Sequence, residues 1–168
     1  MNKKDDMILQ VCNDRFDNDA FYVVGSSAGK IRSLPDDQQP PVGSVHAFVA
    51  KINVNTLSAN RLKHFTMTIP GGGPVNAEAL ACSVTHETDE RNIVFVGGTI
   101  KNVALMDGAS NLSQSNGGDD IFVAAMDGFN GALNWVQQIG TPENDRLASG
   151  KGLDVDAFGN VIVFGETN

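Results

Sequence analysis

Residues 159–168 read GNVIVFGETN, and this stretch decides how the rest of the chain is read. Gly159-Asn160 is turn chemistry, Val161 to Phe164 is a run of β-branched and aromatic residues, and Gly165 is followed two places on by Thr167. That combination predicts a buried strand entering a loop. It stands twice more, as FYVVGSS at 21–27 and IVFVGGT at 93–99. The aligned glycines Gly25, Gly97 and Gly165 lie 72 and 68 residues apart, the mark of an internal repeat.

The segments between them correspond as well. HAFVAKIN (46–53) matches DIFVAAMD (120–127), and KHFTMTIPG (63–71) aligns without a gap on LNWVQQIGT (133–141), pairing Phe65 with Trp135 and Ile69 with Ile139. Asn76 precedes Gly97 by the same 21 residues that separate Asn144 from Gly165. Each segment is short, apolar and bounded by Gly, Asn, Asp or Pro, and no stretch carries the periodicity of a helix. Four strands per repeat, with a long insertion after the first, is what a β-propeller blade requires. The predicted fold is therefore all-β, a partial β-propeller of four-stranded antiparallel blades. The runs VIVF and IVFV lack polar alternation, which predicts strands covered on both faces. Trp135, Phe65, Phe48, Phe122 and the strand valines are the expected core.

The block from Asp119 to Thr167 resembles the SBBP-type β-propeller repeat. The residues that carry the resemblance are Asp120, Phe122 and Val123, then Gly131, Trp135 and Gly140, then Asn144-Asp145, Val155-Asp156, Gly159-Asn160, and Gly165 with Thr167. Residues 20–99 follow the pattern more loosely. Pro70 stands where the family has Gly, and VTHETDERN replaces the Val-Asp and Gly-Asn pairs. The resemblance implies an extracellular or cell-surface setting, since proteins with these repeats are often exported.

By this reading the chain is a single repeat domain: a partial blade at 7–25, a first repeat at 26–97, a second at 98–165, and the start of a third at 166–168. At roughly 70 residues per blade, 168 residues amount to about 2.4 blades, whereas closed propellers have about 4–8. The expectation is an interrupted blade completed by a longer parent chain or by self-association.

Composition narrows the partners. With 18 glycines and only 19% charged residues, the chain suits short strands and turns better than amphipathic helices. A net charge of −8 lacks the basic footprint that nucleic acid or an anionic membrane surface demands. No apolar run reaches a membrane span, and MNKKDDMILQ has no apolar core of the kind a signal peptide needs.

Few residues carry a chemical signal. His46, His64 and His86 fall at segment starts or in a turn, without metal-ligand spacing. No nucleophile motif or phosphate loop occurs, so neither an enzyme nor a cofactor is expected. DVDAFGN offers Asp154, Asp156 and Asn160 as the start of a calcium loop, but the third oxygen ligand and the closing Glu are missing. A strand end with a β-turn is expected there, and no metal. Cys12 and Cys82, one repeat apart, are expected at equivalent places on neighbouring blades. Such places are too distant for a bridge, so the two cysteines read as small buried hydrophobes.

The long insertions, 26–45 and 98–118, occupy the same point of their repeats and would project from one rim. Loops of this length are either functional or solvated decoration. The candidate contacts are Arg32, Asp36, Asp37, Lys101, Asp107 and Asn111, the last opening an Asn-Leu-Ser sequon. The expected function is a non-catalytic scaffold or binding module that engages a protein or carbohydrate through these loops. Two alternatives are an enzyme with a central-channel active site completed by further blades, and a calcium-dependent adhesion module.

Overall fold

A computed structural model describes residues 7–14, 19–27, 45–53, 63–66, 76–87, 91–101, 106–107, 110–111, 117–148 and 150–168. Among them there is no helix, and every ladder is antiparallel. The first sheet is a meander of β1 (Met7–Asn13), β2 (Ala20–Ser27), β3 (His46–Asn53) and β4 (Lys63–Thr66), in that spatial order. The second runs β5 (Asn76–Glu87), β6 (Arg91–Lys101), β9 (Asp119–Asp127) and β10 (Leu133–Ile139). A small hairpin, β7 (Met106–Asp107) with β8 (Ser110–Asn111), sits in the insertion between β6 and β9. The last strands pair as one interrupted hairpin: β11 (Asp145–Leu147) with β14 (Gly165–Thr167), and β12 (Leu153–Val155) with β13 (Val161–Val163). The sheets are thus offset from the sequence repeat, because residues 7–27 complete a four-stranded sheet with 46–66.

The second sheet is the middle layer. One face, with Cys82, Val84, Val94, Val96, Phe122 and Met126, packs on Cys12, Tyr22, Val24, Ala47 and Val49 of the first sheet. The other, with Ala81, Phe95, Ile121, Val123 and Ala125, is covered by Leu147, Leu153, Val155, Val161 and Val163 of the third unit. Burial on both faces is why β9 reads as the unbroken apolar run IFVAAM. Each fully buried aromatic ring, such as that of Phe122, contributes about 2–3 kcal/mol of transfer free energy.

The packing recurs from unit to unit. Strand β5 lies across β1, β2 and β3 of the sheet before it, and the β11–β12 segment lies across β5, β6 and β9 in the same way. The kinks recur too. The first strand of each hairpin breaks register close to the aligned glycine: between Ile8 and Gln10, between Ala79 and Ala81, and between Leu147 and Leu153, where β11 gives way to β12. A Cβ on Gly25 would run into the carbonyl oxygen of Met7, and one on Gly97 would come within 2.8 Å of Leu147 Cδ2. The repeat glycines are therefore positions of close approach between strands and between units.

Three expectations need correcting. Cys12 and Cys82 form a disulfide, with an S–S distance of 2.01 Å and Cα atoms 6.2 Å apart. The first strands of successive units converge, so equivalent residues on β1 and β5 come within bridging reach. Gln10 marks the same convergence: its side chain accepts from Cys82 N at 2.7 Å and donates to Gly150 O at 3.0 Å, joining all three units. Trp135 is not core. It is 41% exposed on edge strand β10, with its ring 6.0 Å from that of Phe95, because the third unit packs mainly on β5, β6 and β9. Residues 161–164 are covered on one face only: Ile162 is 42% and Phe164 58% exposed. Of the other expected core aromatics, Phe122 is buried, Phe48 is half-buried, and the side chain of Phe65 lies outside the described residues.

Candidate binding crevice

A cavity of about 510 Å³ opens between the second sheet and the third unit. Register places its walls. Glu78 pairs with Thr99 across β5 and β6, and Lys101 pairs with Asp119 across β6 and β9, at the root of the insertion. Facing them, Arg146 pairs with Glu166 and Leu147 with Gly165 in the last hairpin, and Phe164 completes the lining. The two walls are tied by Leu147 N donating to Thr99 Oγ1 at 3.4 Å and by Asp119 N donating to Asn144 Oδ1 at 3.1 Å. Thr99 is the hydroxyl two places after Gly97, so the Gly-x-Thr pattern of the repeat supplies a link between units.

The electrostatics centre on Asp119. Its Oδ2 lies 4.0 Å from Lys101 Nζ and 3.8 Å from Arg146 Nη2. Those separations give charge compensation but are too long for hydrogen bonds. Both cations, whose side chains are 46% and 54% exposed, keep N–H donors that Asp119 does not consume.

The adjoining turn is held by Asp145, whose carboxylate accepts from Thr141 N at 2.5 Å and Thr141 Oγ1 at 2.9 Å. The backbone N–H of Thr141 is the main cause that lowers its pKa from the ordinary 3.8. A depressed folded value means that this contribution to stability is present above the unfolded pKa and is lost as pH falls through the folded one. Acidification from about pH 5 to about pH 3 is expected to lower the urea midpoint, and Asp145→Asn to flatten that slope. An unchanged slope in the variant would mean that Asp145 does not couple the turn to protonation.

Of the sequence-predicted contacts, Lys101 lines the crevice. Asp107 and Asn111 lie in the β7–β8 hairpin of the insertion between β6 and β9, their side chains outside the described residues. Arg32, Asp36 and Asp37 fall outside the described residues altogether. Asp154, Asp156 and Asn160 lie in and beside the turn between β12 and β13. There the Asp156 carboxylate accepts from Phe158 N, Asn160 N and Asn160 Nδ2 at 2.7–2.8 Å, and Asp154 Oδ1 accepts from Val155 N at 2.8 Å. Gly159 closes that turn at φ 83°. Asn160 is the main cause that depresses the Asp156 pKa, so this carboxylate serves its own turn. Among the described residues no three His, Cys, Asp or Glu side chains are grouped to hold a metal ion. His46 and His64 lie in strands opposite Ser27 and Ala50, and His86 lies in β5 opposite Asn92 and not in a turn.

A second polar constellation, invisible to motif reading, lies at the opposite end of the sheets. Asp14 Oδ2 sits 2.6 Å from Lys51 Nζ and 3.1 Å from the Tyr22 hydroxyl, and Asp14 Oδ1 accepts from Asn92 Nδ2. The Tyr22 hydroxyl also lies 2.9 Å from Gly128 O, and its single proton serves one acceptor at a time. Burial first, and then the Asp14 carboxylate, push the Tyr22 pKa well above its ordinary 10.0. These residues join β1, β2 and β3 to the ends of β6 and β9, with Asn92 lying 78 residues from Asp14. No local pattern could have linked them.

Fold and crevice together define an all-β protein of stacked antiparallel sheets with a polar cleft between consecutive units. A scan against protein-family models, a search of curated proteins and a search of solved structures each find no match.

Proposed function

We propose that the chain is a non-catalytic binding module built of propeller-type blades, in keeping with its resemblance to SBBP repeats. Its ligand site is the crevice at the rim from which the second insertion emerges. One observation carries the binding reading: charged side chains from two consecutive units face a common cavity at the root of an insertion. The rest of this seam is filled with apolar side chains, and the charged groups are gathered at the cavity. The repeated packing of each first strand across three strands of the sheet before it supports the blade reading. The apolar surfaces left open on β1 and on the last hairpin are where further sheets, of the same polypeptide or of a second copy, would stack. The Cys12–Cys82 bridge supports an exported setting, since such bonds persist in oxidising compartments.

A small-molecule screen read by amide chemical shifts tests the binding reading. Binders are expected to perturb Lys101, Asp119, Leu147 and Gly165. The Lys101→Ala/Arg146→Ala variant should bind them at least about tenfold more weakly, or about 1.4 kcal/mol, with the rest of its amide spectrum native. Binders that cluster elsewhere on the surface would refute the assignment of the crevice.

A further inference from the structure

We infer that the crevice is built for a neutral, hydroxyl-rich ligand, a saccharide; the inference rests on the binding reading above. The lining mixes groups that only donate with groups that only accept. Lys101 and Arg146 are donors, Glu78, Asp119 and Glu166 are acceptors, and Thr99 does both. A ligand that satisfies both kinds within one small volume must itself donate and accept at neighbouring positions. Sugar hydroxyls do so, whereas a carboxylate only accepts and an ammonium only donates.

Charge points the same way. Three carboxylates stand against two cations in the lining. An anion would meet the three carboxylates, and a cation would meet Lys101 and Arg146, which lie 4.0 and 3.8 Å from Asp119. The near-balance makes the site unrewarding for either sign of charge. It costs a neutral ligand little, because the cations and carboxylates compensate one another while their donors and acceptors remain available.

Size is in keeping with this: the polar groups of Lys101, Asp119, Arg146 and Glu166 lie within one 510 Å³ cavity, in the usual range for small-ligand sites.

The test titrates the isotope-labelled full chain with methyl glucoside, methyl galactoside, N-acetylglucosamine, maltose and cellobiose. Inorganic phosphate, glutamate and lysine form the charged set. The expected result is saturable shifts of the Lys101, Asp119, Leu147 and Gly165 amides with at least one saccharide. Its Kd should change less than about twofold between low and high salt, because no ion pair is formed or broken on binding. Lys101→Met/Arg146→Met should weaken it at least about tenfold, with the remaining amide spectrum native, which shows that the fold is kept. Saturation by a charged probe with no response to saccharides overturns the ligand class and leaves the crevice as a binding site. No response of these amides to any probe overturns the binding reading, and the saccharide with it.

Discussion

Replacing Cys12 and Cys82 by serine is expected to lower the unfolding free energy by about 4 kcal/mol, the value that loop-closure entropy assigns to a bridge across some 70 residues. The bridge joins the first strand of one sheet to the first strand of the next, so it restrains the relative placement of two units that otherwise meet through side-chain packing and the hydrogen bonds of Gln10, Tyr22 and Asn92. Urea unfolding of wild type, of the double-serine variant and of wild type in reductant measures the effect. The variant and the reduced protein should share a midpoint well below that of the oxidised chain. Coincident midpoints for all three, or two titratable thiols in the untreated protein, would mean that the bridge contributes nothing. The loss is large against the total stability of a domain this size, about 5–15 kcal/mol, so the reduced chain should also show raised proteolysis at the first sheet.

Asp14→Ala is expected to cost about 3 kcal/mol or more. The carboxylate holds Lys51 at 2.6 Å and takes hydrogen bonds from Tyr22 and Asn92 inside the seam between the sheets. Its removal leaves an ammonium whose side chain is only 23% exposed beside an aromatic ring 5.6 Å away. Breaking a buried pair from one side is more damaging than removing both partners. Asp14→Asn should be milder, because it keeps a hydrogen-bonding partner for Tyr22. The double variant Asp14→Asn/Lys51→Met should be more stable than the sum of its single changes predicts. Strict additivity of the two would show that Asp14 and Lys51 act independently and that the close contact carries no coupling.

The repeat was legible because it is written in local chemistry. Turn residues before a β-branched run, and a glycine after it, specify strand and loop whatever the neighbouring chain does. The all-β architecture follows from that pattern, and so does the burial of Phe122. Lys101 could be singled out because it stands at the root of an insertion that recurs at one point of the repeat. Arg146 and Glu166 could not, since their place opposite Lys101 and Asp119 depends on how the last hairpin leans on the second sheet. Trp135 was misread for the same reason: its segment matches that of Phe65, but whether a strand is covered depends on how far the next unit extends over it.

By itself the sequence determined the strands, the turns, the order of elements and the period at which they return, because each depends on a few neighbouring residues. The tertiary structure alone decided which repeats meet and at what angle. The convergence of the first strands brings Cys12 to Cys82 and lets Gln10 touch all three units, and the same stacking leaves a polar cleft where β6 and β9 part from the last hairpin. These outcomes depend on the distance and tilt between sheets. That geometry is set by the summed packing of many side chains on two facing surfaces, and no single stretch of the chain encodes it.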